Sequence, residues 1–169
     1  RRHGDFPVIV AGGIYTHEDI RRFLAMGADG VQMGTRFLAT EESSATAAYK
    51  QAVVEATPAD ILVADDPGSP CGLPFRVLVK SPMYVSALAR RRAPKCDKGY
   101  VLLKDDKGNF TRCPAKESNE HHFCICNGLL SSAGYNPDKE EPIYTVGATA
   151  WRVDKILPVK ELMAELSGA

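Results

Sequence analysis

PVIVAGGIYTHEDIRRFLAMGADGVQMGTRF, residues 7–37, holds two apolar runs that each stop at glycine. Pro7 to Ala11 is continuous, apolar and rich in β-branched residues, the pattern of a strand covered on both faces as in a parallel sheet. Gly12 and Gly13 break it. Thr16, with Asp19 three positions on, offers a helix start of the capping-box type. Ile20, Phe23 and Leu24 then recur at helical spacing as one buried stripe, and Gly27 closes the helix. Gly30 to Met33 reads as a second short strand ended by Gly34. Thr40 or Ser43 can open a further helix with Ala45, Ala48, Tyr49 and Ala52 on one face. Strand, helix, strand, helix is an α/β unit whose crossover length makes the strands parallel neighbours with right-handed linkage.

Parallel neighbours bring their carboxyl ends to the same sheet edge, so Gly12-Gly13 and Gly34-Thr35 should lie side by side. Glycines let an anion approach bare backbone N–H groups, and a following helix adds partial positive charge. The same glycines could merely turn tight corners. Two such loops at adjacent strand tips, with Thr35-Arg36 behind the second, favour a phosphate clamp without lysine. In eight-stranded α/β barrels a phosphate site commonly falls in the loops after the last two strands.

Composition narrows the class. The chain has 169 residues, no net formal charge, 44% hydrophobic and 25% charged residues, as ordinary soluble globular proteins do. No apolar run approaches the roughly 18 residues of a membrane span, and RRHGDF at the front lacks the apolar core of a signal peptide. The neutral balance gives no electrostatic reason to expect nucleic acid. ALARRRAPK, residues 87–95, reads as a solvated helix end. Because the sequence starts at Arg1 and runs at once into an apolar strand, a longer parent protein is expected.

The texture shifts near Thr57, which divides the chain into a barrel-like segment (residues 1–57), an irregular cysteine-containing extension (58–155) and a C-terminal amphipathic helix (156–169). In the last, Pro158 suits a first turn. Val159, Leu162, Met163 and Leu166 form a stripe before Gly168, expected to dock on the fold or on a partner chain. Ile143 to Val153 reads as a packed strand and turn, with Trp151 in the core.

Cys96, Cys113, Cys124 and Cys126 crowd together, with His121 and His122 beside the last pair. Four thiols in one region could ligate zinc or an iron–sulfur cluster. The separations of sixteen, ten and one intervening residues contain no C-x-x-C knuckle, so reduced thiols packed in a small subdomain are the leading alternative. In a strand, Cys124 and Cys126 would share a face. Cys71, in GSPCGLPF, reads as a small core or loop residue.

PVIVAGGIYTHEDIRRFLAMGADGVQMGTRFLATEES (residues 7–43) closely resembles the seventh-to-eighth-strand segment of the nitronate monooxygenase family, formerly 2-nitropropane dioxygenases, which also includes flavin-dependent enoyl-ACP reductases. SPCGLPFRVLVKSP (69–82) resembles the segment after the barrel, and WRVDKILPVKELMAEL (151–166) the ending of a subgroup. The resemblance implies a (β/α)8 barrel of which this chain carries strands 7 and 8 with their helices. It implies that Gly12 and Gly13 donate backbone N–H bonds to the phosphate of FMN, with Gln32, Gly34 and Thr35 on the phosphate side and Arg36 either near the phosphate or in a surface ion pair. It puts residues 143–153 near the flavin.

The family's catalytic histidine follows an earlier strand, so neither His3, ahead of the first strand, nor His17, read as solvent-exposed in a first helical turn, is a candidate, and no catalytic residue is expected here. Three functions follow: part of an FMN-dependent nitronate monooxygenase, part of a flavin enoyl-ACP reductase, or a cysteine-rich metal-binding or electron-transfer module on a barrel remnant. The expected setting is a reducing cytoplasm. The expected partners are a small-molecule substrate, the missing N-terminal barrel segment and a second copy of the chain, without nucleic acid or membrane.

Overall fold

The structure, a computed structural model, describes residues 4–66, 68, 74–89, 103–104, 106–107, 110–111, 124–135, 138 and 140–169. Strands β1 (Ile9–Ala11) and β2 (Gly30–Gln32) pair in parallel, Ile9 beside Gly30 and Ala11 beside Gln32. Between them α1 (His17–Ala25) starts where the sequence predicts: the Asp19 N–H donates to Thr16 Oγ1, while the Asp19 carboxylate accepts the N–H groups of Tyr15 and Thr16, both at 3.0 Å. It ends at Gly27, whose φ of +96° suits glycine. There Gly27 N–H donates to Leu24 O and Ala28 N–H to Phe23 O, the paired bonds of a Schellman stop.

Two expectations change here. β1 is not covered on both faces, since Val8 and Ile9 are exposed, Ile9 by 54%. Among the described residues its sheet has only these two strands, so nothing screens the outer side. Leu24 is likewise exposed, while Ile20 and Phe23 are half-buried.

The next helices differ from the sequence reading. α2 (Thr35–Leu38) begins directly at Gly34, and α3 (Ala47–Val54) is capped by Thr46 rather than by Thr40 or Ser43. Thr40 is buried with its hydroxyl donated to Phe37 O, and Ser43 Oγ accepts the Ala45 N–H. α3 buries Tyr49, Lys50 and Val53 and leaves Ala48 exposed. The reason lies far along the chain: Tyr49 stacks on Tyr144 at 4.5 Å between ring centroids and donates its hydroxyl to Thr145 O. A large aromatic surface with a bonded polar tip anchors the inward face, as the sequence reading has it, and Ala45 and Ala52 of the expected stripe pack against the same core while Ala48 turns out. Burial pushes the Tyr49 phenol up to about 12.

Past a 3₁₀ turn at Pro58–Asp60, β3 (Ile61–Val63) pairs antiparallel with β4 (Arg76–Leu78), followed by α4 (Pro82–Leu88), the short pair β5 (Leu103–Lys104) and β6 (Phe110–Thr111), and α5 (Ile125–Ser132). Extended chain at 141–147, a 3₁₀ turn at Ala150–Arg152 and α6 (Val159–Ser167) complete it. The main core joins Ala39, Tyr49 and Val53 to Leu78, Tyr144, Val146, Ala150 and Val153, so residues 142–153 cross under α3. Trp151 is 47% exposed and is not part of that core: the 3₁₀ turn buries its neighbour Ala150 instead.

α6 docks by part of its predicted stripe. Leu162 and Leu166 are buried with Leu157 against Ile20, Met33 and Phe37, whereas Met163 is exposed. Residues four apart stack on one face, and the next residue turns about 100° away. Pro158 offers no side-chain cap, and the Glu42 carboxylate supplies one, accepting the Val159 N–H at 2.9 and 3.1 Å. Among the described residues no helix is long and apolar enough to cross a membrane.

Gly128 marks the tightest crossing. A Cβ there would lie 2.7 Å from both Ile143 Cγ2 and Met83 Cε. Gly128→Ala is therefore expected to lose about 1–3 kcal/mol by overpacking, against the usual gain of alanine over glycine in a helix. Urea unfolding checks it. A variant as stable as the parent would show that α5 does not rest on residue 143.

Candidate functional site

A cavity of about 190 Å³ opens at the carboxyl ends of β1 and β2. All five residues singled out in the sequence, Gly12, Gly13, Gln32, Gly34 and Thr35, line it. The parallel pairing brings the two glycine corners to one rim. Gly12 and Gly13 have φ of +87° and +71°, a region open to glycine at little cost, and an added Cβ at either, or at Gly34, would meet no atom within 4 Å. Thr35 is the first residue of α2, where an N–H has no intrahelical acceptor. Among the described residues none accepts the N–H of Gly13 or Gly34.

The start of α1 contributes differently from the sequence expectation. Its first turn does not line the cavity: the Asp19 N–H goes to Thr16 Oγ1, and the bonds from the Thr16 and Tyr15 backbone hold the Asp19 carboxyl below its usual range. An anion in the cavity would find its donors at the glycines and Thr35 instead.

The far wall comes from the C-terminal part of the chain. Gly147, Thr149 and Val153 line the cavity, and the Gly147 N–H donates to Thr35 Oγ1 at 2.8 Å. With its oxygen accepting that bond, the Thr35 hydroxyl keeps its own proton to donate. A Cβ on Gly147 would sit 3.0 Å from the same oxygen, so glycine is what lets the backbone approach. Composition gave a hint of this: a lone glycine inside an apolar β-rich stretch often marks such a contact.

Arg36 is in an ion pair and still lines the cavity. Its side chain is 9% exposed, with Nη2 2.5 Å from Glu165 Oε2 and Nη1 donating to Tyr15 O at 3.0 Å. Two guanidinium carbons, of Arg36 and Arg152, stand 4.4 and 4.3 Å from the centre of the Tyr15 ring. Burial pushes the Tyr15 phenol up, with both arginines pulling the other way, and its hydroxyl donates to Arg152 O. The hydrogen bond from Arg36, with Lys155 nearby, holds the Glu165 carboxyl below its usual range.

His17 is not the free surface group expected: its Nδ1 lies 2.8 Å from Leu166 O, at the end of α6. His3, Cys96 and Cys113 lie outside the described residues, as do Cys71, His121 and His122. Cys124 is buried and stands just before α5, with Cys126 inside its first turn, so the pair opens a helix rather than sharing a strand face. Helix residues two apart do not face each other. Among the described residues no three of His, Cys, Asp or Glu gather as a metal site would require.

A sequence model of the family described as "Nitronate monooxygenase" matches residues 3–168, nearly the whole chain. This protein belongs to the nitronate monooxygenase family. The curated nitronate monooxygenase of Pseudomonas aeruginosa is 52% identical over 50 residues, which make up 30% of this chain and 14% of that protein. Solved structures extend the likeness over the fold. FabK from Thermotoga maritima is 29% identical with a TM-score of 0.63, covering 98% of this chain and 44% of its own. Nitroalkane oxidase from Streptomyces ansochromogenes is 27% identical with a TM-score of 0.57, over 98% and 41%. The chain thus spans less than half of these structures, and its matched segments less than a fifth of the curated relatives.

Proposed function

We propose that this chain is the phosphate-gripping portion of an FMN-dependent nitronate monooxygenase, with β1 and β2 as the seventh and eighth strands of a (β/α)8 barrel. The observation that carries the proposal is the meeting of two glycine corners on one cavity, with the N–H groups of Gly13 and Gly34 unaccepted by any described residue. Those groups, with Gly12 and the Thr35 N–H and hydroxyl, form a donor set for a phosphate monoester. The volume supports one end of a nucleotide rather than a whole one: about 190 Å³ lies below the ~300 Å³ at which pockets begin to enclose complete small ligands.

FMN, when bound, supplies the electron transfer by which a nitronate becomes a carbonyl compound and nitrite at the expense of oxygen. The residues of this chain bind and orient it. No group here is assigned to the proton transfer. The FabK likeness lends weight to a second reading, a flavin-dependent enoyl-ACP reductase. Oxygen uptake with a nitronate, against NADH-dependent enoyl reduction, separates the two in protein carrying the remaining strands.

For this chain by itself, titration with FMN and with riboflavin, followed by amide chemical shifts, tests the site. Expected are shifts at Gly12, Gly13, Gly34 and Thr35 with FMN alone. The affinity should be weaker than micromolar, because contacts to the flavin ring come from other strands. Identical shifts with riboflavin, or none at these amides, would remove the phosphate assignment. Saturable submicromolar binding would remove the claim that one end only is held.

A further inference from the structure

We infer that Arg36 is a positioning residue that pins the two glycine corners at the spacing a phosphate requires, and that Glu165 of α6 holds it in that role. The inference rests on the phosphate reading above and adds a control element to the same site. Arg36 belongs to the second corner, immediately after Thr35, yet its Nη1 donates to Tyr15 O in the first, two residues beyond Gly13. Its guanidinium carbon also stands 4.4 Å from the Tyr15 ring centre. One planar group thus touches the first corner twice while its backbone forms the second. Few side chains could do so: the guanidinium is a rigid fork with donors on separate nitrogens, and it stacks on aromatic rings.

The other half of the fork faces α6. Glu165 Oε2 takes Nη2 at 2.5 Å, and its Oε1 lies 3.3 Å from Lys155 Nζ. Nη1 and Nη2 of Arg36 thus each have a protein acceptor, one on the first corner and one on α6, which fixes the guanidinium beside the cavity. Arg36 acts on the anion through geometry and field rather than by direct ligation. α6 is itself seated by Leu162 and Leu166 on Met33 and Phe37, residues that flank Gly34-Thr35. Docking of the last helix and the shape of the cavity are in this way one mechanical unit.

Two variants separate positioning from ligation. In Glu165→Gln the neutral partner holds Nη2 more weakly, so the fork should leave Tyr15 part of the time. In Arg36→Lys the charge stays, but the two-nitrogen fork and its stacking on the Tyr15 ring are lost. Each is expected to weaken FMN about tenfold in the amide-shift titration, the factor that matches about 1.4 kcal/mol, while shifts caused by riboflavin stay as in the parent. Thermal unfolding of each variant reports the fold separately.

If Glu165→Gln tightens FMN, a freed Arg36 is binding phosphate directly and the positioning role is refuted. Unchanged FMN affinity in both variants refutes it as well. A parent chain with no FMN-selective shifts overturns the phosphate reading and this inference together, whereas parent shifts that persist unaltered in the variants overturn the inference alone.

Discussion

Leu162→Ala is expected to lower the stability of the chain by about 2–5 kcal/mol, read from the midpoint of urea unfolding. Leu162 is fully buried, at the centre of the cluster that joins α6 to Ile20 of α1, Met33 and Phe37. Removing its branched end takes away transfer free energy and leaves a void that α6 can close only by shifting. That shift would strain the Glu42 cap at one end of the helix and the Arg36–Glu165 pair near the other. Met163→Ala, one residue along and exposed, provides the comparison and should stay within about 0.5 kcal/mol. Equal losses in the two variants would mean that α6 does not dock by the Leu162–Leu166 face.

What the sequence made legible was local. The Thr16–Asp19 box, the Gly27 stop and the two glycine corners each depend on residues within about four positions, and hydrophobic periodicity with capping rules reads at that range. Parallel pairing of β1 with β2 follows from crossover length, and with it the meeting of Gly13 and Gly34 on one cavity. The misreadings share the opposite cause. α3 keeps Tyr49 inward as read but turns Ala48 out and Val53 in, against Val146, Ala150 and Val153, α6 is capped by Glu42, and Gly147 reaches Thr35. Each contact joins segments far apart in the chain, and no local spacing encodes such partners. Trp151 misled through composition: a lone tryptophan invites a core assignment, but its 3₁₀ turn presents Ala150 inward. The exposed Val8 and Ile9 are a different matter, since their apolar run matched a doubly covered strand while the described sheet holds two strands only.

Gly13→Val should abolish the FMN-selective shifts at Gly34 and Thr35 with only a moderate loss of fold. Gly13 sits at φ +71°, where a β-branched side chain costs about 1–2 kcal/mol in backbone strain. No atom lies within 4 Å of an added Cβ, so strain comes without a packing clash. The functional loss is larger, because relaxation of φ turns the residue 13 N–H away and the new side chain enters the space that a phosphate would fill. Losing a bond to a charged group on each count gives roughly 3 kcal/mol, about a hundredfold in affinity. Gly27→Val isolates the strain. Gly27 also has positive φ, +96°, and open space around a Cβ, but it lies outside the cavity. Comparable destabilisation with FMN shifts intact is expected there. Were Gly13→Val to keep those shifts as well, the backbone of the first corner would not be holding the phosphate, and the donors would have to be sought at Gly34 and Thr35 alone.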